Sequence, residues 1–236
     1  MHGLKRTILV TGASSGIGRA IARNLLQQGH HVIGVSRDCT QFKYPMANFH
    51  PVQLDLGQLQ ELPQKIRGLE QQFPDLDTVV FSAGFGQFGS LEEFSYTQIQ
   101  ALMDLNFLSP MFLTRALLPF LKRKTRSDLI YIGSEAALKG SRKGTIYCAS
   151  KFALRGFTQA LREECSKDQV RVSLINPGMV KTPFFDCLPF APGNDESNYL
   201  LPEDVAEAVA YVINSRAQMV IDEINLNPAT KVVMKK

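Results

Sequence analysis

One loop limits the folds open to this chain more than any other feature. A short apolar run, Thr7-Ile8-Leu9-Val10, leads into Thr11-Gly12-Ala13-Ser14-Ser15-Gly16-Ile17-Gly18-Arg19. A helical pattern follows, Ile17 to Gln28, with Ile17, Ile21, Leu25 and Leu26 on one face and Gly29 as its stop. A strand that turns through glycines into a helix N-terminus makes a phosphate cradle. Gly12 permits the tight turn, Gly16 lets the backbone approach a pyrophosphate, and Gly18 lets the helix pack close to the sheet. Free N–H groups and the positive end of the helix dipole face the anion. The spacing is Gly-x3-Gly-x-Gly, and the Gly-Lys-[Ser/Thr] ending of an ATP-binding loop is absent.

The rest of the chain repeats this alternation. Strands are predicted at Val32-Val35, Phe49-Leu54, Thr78-Phe81, Leu129-Ile132, Val170-Ile175 and Met219-Leu226. Helices are predicted from about Leu59, over Ile99-Leu121 with a start or kink at Pro110 and an interruption at Pro119, over Tyr147-Cys165, and over Pro202-Asn214. The expectation is one α/β domain over 1–236. It would be a Rossmann-type doubly wound fold, with about seven parallel strands flanked by helices on both faces. Only Asn176 to Leu201 reads as a long irregular segment. Such a segment in a compact domain is usually functional, and for its part 183–201 an ordinary packed loop is an equal alternative.

Composition narrows the function classes. The 236 residues hold 44% hydrophobic and 20% charged side chains, the balance of a folded globular chain rather than a disordered one. No apolar run approaches the roughly 20 residues that cross a bilayer, and Met1-His2-Gly3-Leu4-Lys5-Arg6 does not resemble a secretion signal. Cys39, Cys148, Cys165 and Cys187 lack zinc or disulfide spacing, which suits a reducing cytoplasm. His2, His30, His31 and His50 form no ligand pattern, so no metal is expected. The net charge of +4 is small. The basic run Lys122 to Arg126 reads as a solvated helix end rather than a nucleic-acid surface.

The end of the second strand selects the dinucleotide in such folds. An acid there holds the ribose 2′-OH of NAD, and an arginine accommodates the 2′-phosphate of NADP. The chain reads Val35-Ser36-Arg37-Asp38. Ser36 takes the acid's position and Arg37 can fork onto a phosphate. NADP is expected, with NAD as the alternative if Asp38 faces the ribose.

Tyr147 and Lys151 stand four apart on a predicted helix, on one face. A free phenol titrates near 10, and lowering that by ~3 units takes about 4 kcal/mol. A neighbouring ammonium acts in that direction, so the pair reads as a general acid and base for a carbonyl or alcohol. A packed Tyr beside a snorkelling Lys is the plain alternative. Ser134 follows the fifth strand, at the end of the sheet where ligands bind. Its hydroxyl can bond a substrate oxygen.

Taken together, these residues resemble the short-chain dehydrogenase/reductase family from Thr11 to about Asp204. The resemblance makes Asn106, Ser134, Tyr147 and Lys151 a catalytic tetrad, with Asn106 holding a water in a proton relay from Lys151. It implies a cofactor site of Gly12, Ser14, Ser15, Gly16, Ile17, Gly18, Ser36, Arg37, Asp55, Leu56, Ser82, Ala83, Gly84, Tyr147 and Lys151. Pro177, Gly178, Val180 and Thr182 would flank the nicotinamide. Ser82 replaces the family's asparagine before Ala83-Gly84, and Ser15 stands where NADP-preferring members often carry Lys or Arg. The implied function is NADP-dependent hydride exchange with a small-molecule carbonyl or secondary alcohol. A serine-like 3-hydroxy acid dehydrogenase and a non-catalytic NADP-binding regulator are the alternatives. The stretch 183–201, with Phe184, Phe185, Leu188, Phe190 and Tyr199, would cover the substrate. Arg142 or Lys143 would hold a carboxylate if there is one. The resemblance also implies a homodimer or homotetramer, with no nucleic-acid or membrane partner.

Overall fold

The computed structural model describes residues 5–40, 42 and 47–236. Residues 1–4, and with them His2, lie outside that set, as do 41 and 43–46.

Seven parallel strands form the central sheet: β1 (Thr7–Thr11), β2 (His31–Ser36), β3 (Phe49–Gln53), β4 (Leu76–Phe81), β5 (Ser127–Ile132), β6 (Val170–Pro177) and β8 (Glu223–Leu226). Their order is β3-β2-β1-β4-β5-β6-β8, so the winding reverses between β1 and β4. Crevices for ligands open at that reversal, beyond the carboxyl ends of the strands.

Alternate strand residues point to opposite faces, and each face meets its own helices. Ile8, Val10, Val32, Val80, Ile130 and Ile175 face α1 (Gly16–Gln27) and α6 (Pro202–Asn214). Leu9, Ile33, Val79, Leu129 and Val172 face α2 (Leu62–Gln72), α4 (Ser109–Leu121) and α5 (Thr145–Glu164). Burial on both sides is why these strands read as continuous apolar runs. Gly29, at φ +85°, turns the chain out of α1. At the opposite end of the sheet from the crevice, Asp128 accepts buried ion pairs from Arg6 (3.1 Å) and Arg171 (2.6 Å).

Several boundaries differ from the sequence reading. The predicted helix 99–121 is two helices, α3 (Tyr96–Met103) and α4, joined by a π-helical turn at Asp104–Leu108. Pro110 sits in the first turn of α4, directly after the π-helical turn, and Pro119 stays inside its last turns. α2 begins at Leu62 rather than 59, because Pro63 fits the first helical turn. The last sheet strand shortens from 219–226 to Glu223–Leu226. The 176–201 segment is not irregular throughout. It holds a 3-10 turn at Pro183–Phe185 and the strand β7 (Phe190–Pro192). β7 pairs antiparallel with β9 (Val233–Lys235), a pairing the sequence reading did not contain.

Candidate active site

The glycine loop joins β1 to α1 as expected. Gly12 and Gly16 adopt φ +70° and +48°, the left-handed region that favours glycine. A Cβ on Gly12 would stand 3.0 Å from the Cα of Ala83, and one on Gly18 would clash with the Gly12 carbonyl oxygen. Ser15 occupies the N-cap of α1 without a side-chain cap bond, so the first-turn N–H groups remain open to an anion. Thr11 ties the loop to the end of β4. Its hydroxyl accepts the N–H groups of Ser82 (2.9 Å) and Ala83 (3.1 Å). The Ser82 hydroxyl is buried without a hydrogen-bond partner. A buried polar atom of this kind, beside a cradle that any Cβ would fill, fits a polar ligand along the loop.

Arg37 is the first residue beyond β2, and it is exposed. The Asp38 carboxylate accepts the backbone N–H (2.9 Å) and hydroxyl (2.6 Å) of Thr40, while its carbonyl accepts the Ser36 hydroxyl. Asp38 therefore shapes its own turn. Asp55 does likewise, accepting the Gly57 N–H at 2.9 Å, and Leu56 is buried beside it. Pro177 ends β6, and Gly178 donates to the Leu226 carbonyl at 2.7 Å. Val180 bridges to Leu200, and Thr182 lies against Gly16. The segment resembling a nicotinamide contact thus packs on the glycine loop.

Ser134, Tyr147 and Lys151 converge at the carboxyl end of β5. Ser134 lies by the Tyr147 phenol and accepts the Ala136 N–H at 3.1 Å. Tyr147 is 8% exposed and Lys151 7%. The Lys151 ammonium donates to the Ile132 carbonyl at 3.1 Å and lies 5.8 Å from the Tyr147 ring centroid. Burial moves both groups toward their neutral forms. It pushes the Tyr147 phenol up to about 12, and the nearby Ser134 hydroxyl opposes it. It pulls the Lys151 ammonium down to about 8. The sequence reading had Lys151 depress the phenol. Here desolvation dominates, because Phe88 and Phe184 pack on the ring and the lysine bonds the strand.

Asn106 sits in the π-helical turn and is buried. Its Oδ1 accepts the Phe85 N–H (3.0 Å) and its Nδ2 donates to the Phe85 carbonyl (2.9 Å). This two-way clasp fixes the loop after Gly84, where an added Cβ would meet Asn106 Oδ1 at 3.1 Å. Asn106, Lys151, Thr11 and Ala83 border a small cavity of about 10 Å³, room for roughly one water.

Asn176 was missed by the sequence reading. Its Oδ1 accepts the Ser134 N–H at 3.3 Å, and its Nδ2 donates to Glu223 and Asn225, both at 2.9 Å. It thereby braces Ser134 from the neighbouring strands. A polar residue after Leu174-Ile175 and just before Pro177-Gly178 was the available signal.

The basic run is engaged within the chain. Lys122 pairs with Asp168 (2.7 Å), Arg123 bonds the Pro119 carbonyl, Lys124 the Pro74 carbonyl, and Arg126 the Ile213 carbonyl. Among the described residues there is no group of three or more metal-ligating side chains, and no helix is long and apolar enough to cross a membrane.

A family profile described as short chain dehydrogenase matches residues 6–188. An NADP-dependent 3-hydroxy acid dehydrogenase of Schizosaccharomyces pombe is 29% identical, over 95% of this chain and 93% of that protein. An alcohol dehydrogenase of the archaeon Thermococcus sibiricus, solved with 5-hydroxy-NADP, superposes with a TM-score of 0.86 at 26% identity, covering 97% and 99% of the two chains. A serine dehydrogenase of Escherichia coli gives 0.83 at 29% identity, covering 96% and 99%.

Proposed function

This chain belongs to the short chain dehydrogenase family, and on that premise we propose that it is an NADP-dependent oxidoreductase of carbonyls and secondary alcohols. The convergence of Ser134, Tyr147 and Lys151 beside the glycine loop carries this reading. Gly12 to Gly18 would cradle the pyrophosphate, Arg37 the 2′-phosphate, Asp55 and Leu56 the adenine, and Ser82 to Gly84 the ribose. Pro177 to Thr182 would flank the nicotinamide. When bound, the cofactor exchanges a hydride with the substrate carbon.

The protein supplies orientation and the proton. Ser134 bonds the substrate oxygen, in a position braced by Asn176. Tyr147, with its phenol near 12, is fully protonated at neutral pH. It is therefore a ready proton donor to the oxygen of a carbonyl undergoing reduction. Lys151, near 8, gains and loses a proton close to neutrality, and a water in the cavity beside Asn106 would reprotonate it. The aromatic residues of the 183–201 lid exclude bulk water.

A 3-hydroxy acid dehydrogenase is the second reading, favoured by the S. pombe relative and the E. coli serine dehydrogenase. The reading further comprises a single domain, a homodimer or homotetramer, no nucleic-acid or membrane partner, and a cytoplasmic setting that suits the four free thiols. NADPH and NADH consumption over aldehydes, ketones, diketones and oxo acids tests it, with the alcohols assayed in reverse. NADPH-dependent turnover is expected. Tight NADPH binding without turnover in either direction would leave a regulator.

A further inference from the structure

Five aromatic rings close a circuit over the candidate acid. Tyr147 packs on Phe88 at 5.1 Å and on Phe184 at 5.9 Å between centroids. Phe88 meets Phe190 edge to face at 4.9 Å, Phe190 approaches Phe185 at 5.9 Å, and Phe185 meets Phe184 at 5.2 Å. Distant parts of the chain build this ring: the loop after β4, the 3-10 turn, β7 and α5. Two features fix it in place. Phe184 lies so close to Gly86 that any Cβ there would strike its ring. The far wall hangs from β9, through the pairing of Phe190 with Lys235 and a bond from the Lys236 ammonium to the Phe185 carbonyl.

The surroundings of the phenol are thus aromatic on both flanks. Edge-to-face rings offer alternating π faces and positive edges, which suit another flat ring. A carboxylate buried among them finds no compensating bond from those side chains. The charged side chain next to Ser134 is an acid, Glu135, already paired with Lys231.

We propose that Phe88, Phe184, Phe185 and Phe190 set substrate choice. They admit aldehydes and ketones with a flat aryl or conjugated group next to the carbonyl, and they reject small oxo and hydroxy acids. The inference rests on the oxidoreductase reading of Tyr147 and names its substrate class. The carbonyl reaches Ser134 and Tyr147 while its aryl group packs against these part-exposed rings.

The test compares 1-phenyl-1,2-propanedione with acetoacetate under NADPH, and L-serine under NADP. The aryl diketone is expected to exceed acetoacetate in kcat/KM by on the order of 100-fold. Phe184→Ala should narrow that gap by about tenfold, mainly through KM. Phe184→Leu, which keeps apolar volume without a π face, should fall between. Equal or better turnover of acetoacetate or serine, or an unchanged gap in both variants, would overturn the proposal. A second readout separates it from the underlying reading. Acetanilide, which has an aryl group and an amide that resists reduction, is titrated by calorimetry into the NADP-loaded protein. Binding that weakens in Phe184→Ala supports the cage even if no carbonyl turns over, in which case the oxidoreductase reading fails alone. Absence of acetanilide binding overturns the cage, whatever the turnover.

Discussion

The Lys151 ammonium lies 5.8 Å from the centroid of the Tyr147 ring and gives its hydrogen bond to the Ile132 carbonyl, 3.1 Å away at the end of β5. The lysine is therefore positioned by the sheet. The same burial drives the two groups apart in acidity, to about 12 for the phenol and about 8 for the ammonium. Pairs with separated values are how a site assigns its acid and base roles. Here the phenol holds its proton and the lysine can exchange one near neutrality.

A pH profile follows from those values. Carbonyl reduction under saturating NADPH is expected to hold level through neutrality and to fall as pH rises through about 8, where Lys151 loses its charge. Lys151→Arg keeps the charge and should remove that inflection, whatever its effect on the maximum rate. A wild-type rate that stays level to pH 10 would contradict the role given to Lys151.

The buried ammonium also costs stability. Its value in the folded protein lies below the ordinary 10.5. Between about 8 and 10.5 the unfolded chain therefore holds more protons, and stability rises with pH across that window. Below it the full cost applies, roughly 3 kcal/mol for a depression of this size. The bond to Ile132 offsets about 1 kcal/mol of that. Lys151→Met is thus expected to raise unfolding stability by ~2 kcal/mol at pH 7, with a smaller gain at pH 10. Urea denaturation at the two pH values measures it. A loss of stability at pH 7 would show that the hydrogen bond outweighs the desolvation.

Gly12 carries both a left-handed backbone and a close approach to Ala83. Gly12→Ala is expected to cost about 1–2 kcal/mol in backbone strain, and more from the contact with β4. Protein that still folds should bind NADPH at least about tenfold more weakly, an energy cost of that order. Fluorescence titration against thermal unfolding separates the two effects. Unchanged binding would remove the loop from the cofactor site.

Arg37 and Asp38 make opposite demands on the cofactor. The Asp38 carboxylate accepts two bonds from Thr40, and the proposed reading gives the selection to Arg37. Arg37→Ser is expected to reduce the preference for NADPH over NADH by roughly tenfold or more, the worth of a charge-assisted bond. A wild-type preference for NADH would instead assign the ribose contact to Asp38.

Local features of this molecule could be read in its sequence, and distant ones could not. The glycine loop, Tyr147 with Lys151, and Ser134 after β5 are each defined by spacing within one strand-turn-helix unit. The parallel sheet with helices on both faces follows from the alternation of strands and helices. The π-helical turn around Asn106 was hidden, because its apolar and polar residues fit an uninterrupted helix equally well. Asn176 supports Ser134 only once β5, β6 and β8 lie side by side. The pairing of β7 with β9 joins two three-residue strands far apart in the chain, too short for alternation to show. The acidity of Tyr147 departs from its sequence expectation for a related reason. Its spacing to Lys151 was visible, but the phenylalanines that bury it come from other segments.

The central claim is that the Tyr147 hydroxyl delivers the proton. Tyr147→Phe removes one oxygen and leaves the ring among Phe88 and Phe184. Single-turnover reduction by NADPH should slow by about 10²–10⁴-fold, the usual contribution of a positioned proton donor, while NADPH affinity by fluorescence stays within about twofold, an energy change well below one hydrogen bond. A variant that binds NADPH normally and reduces carbonyls at the wild-type rate would contradict the account.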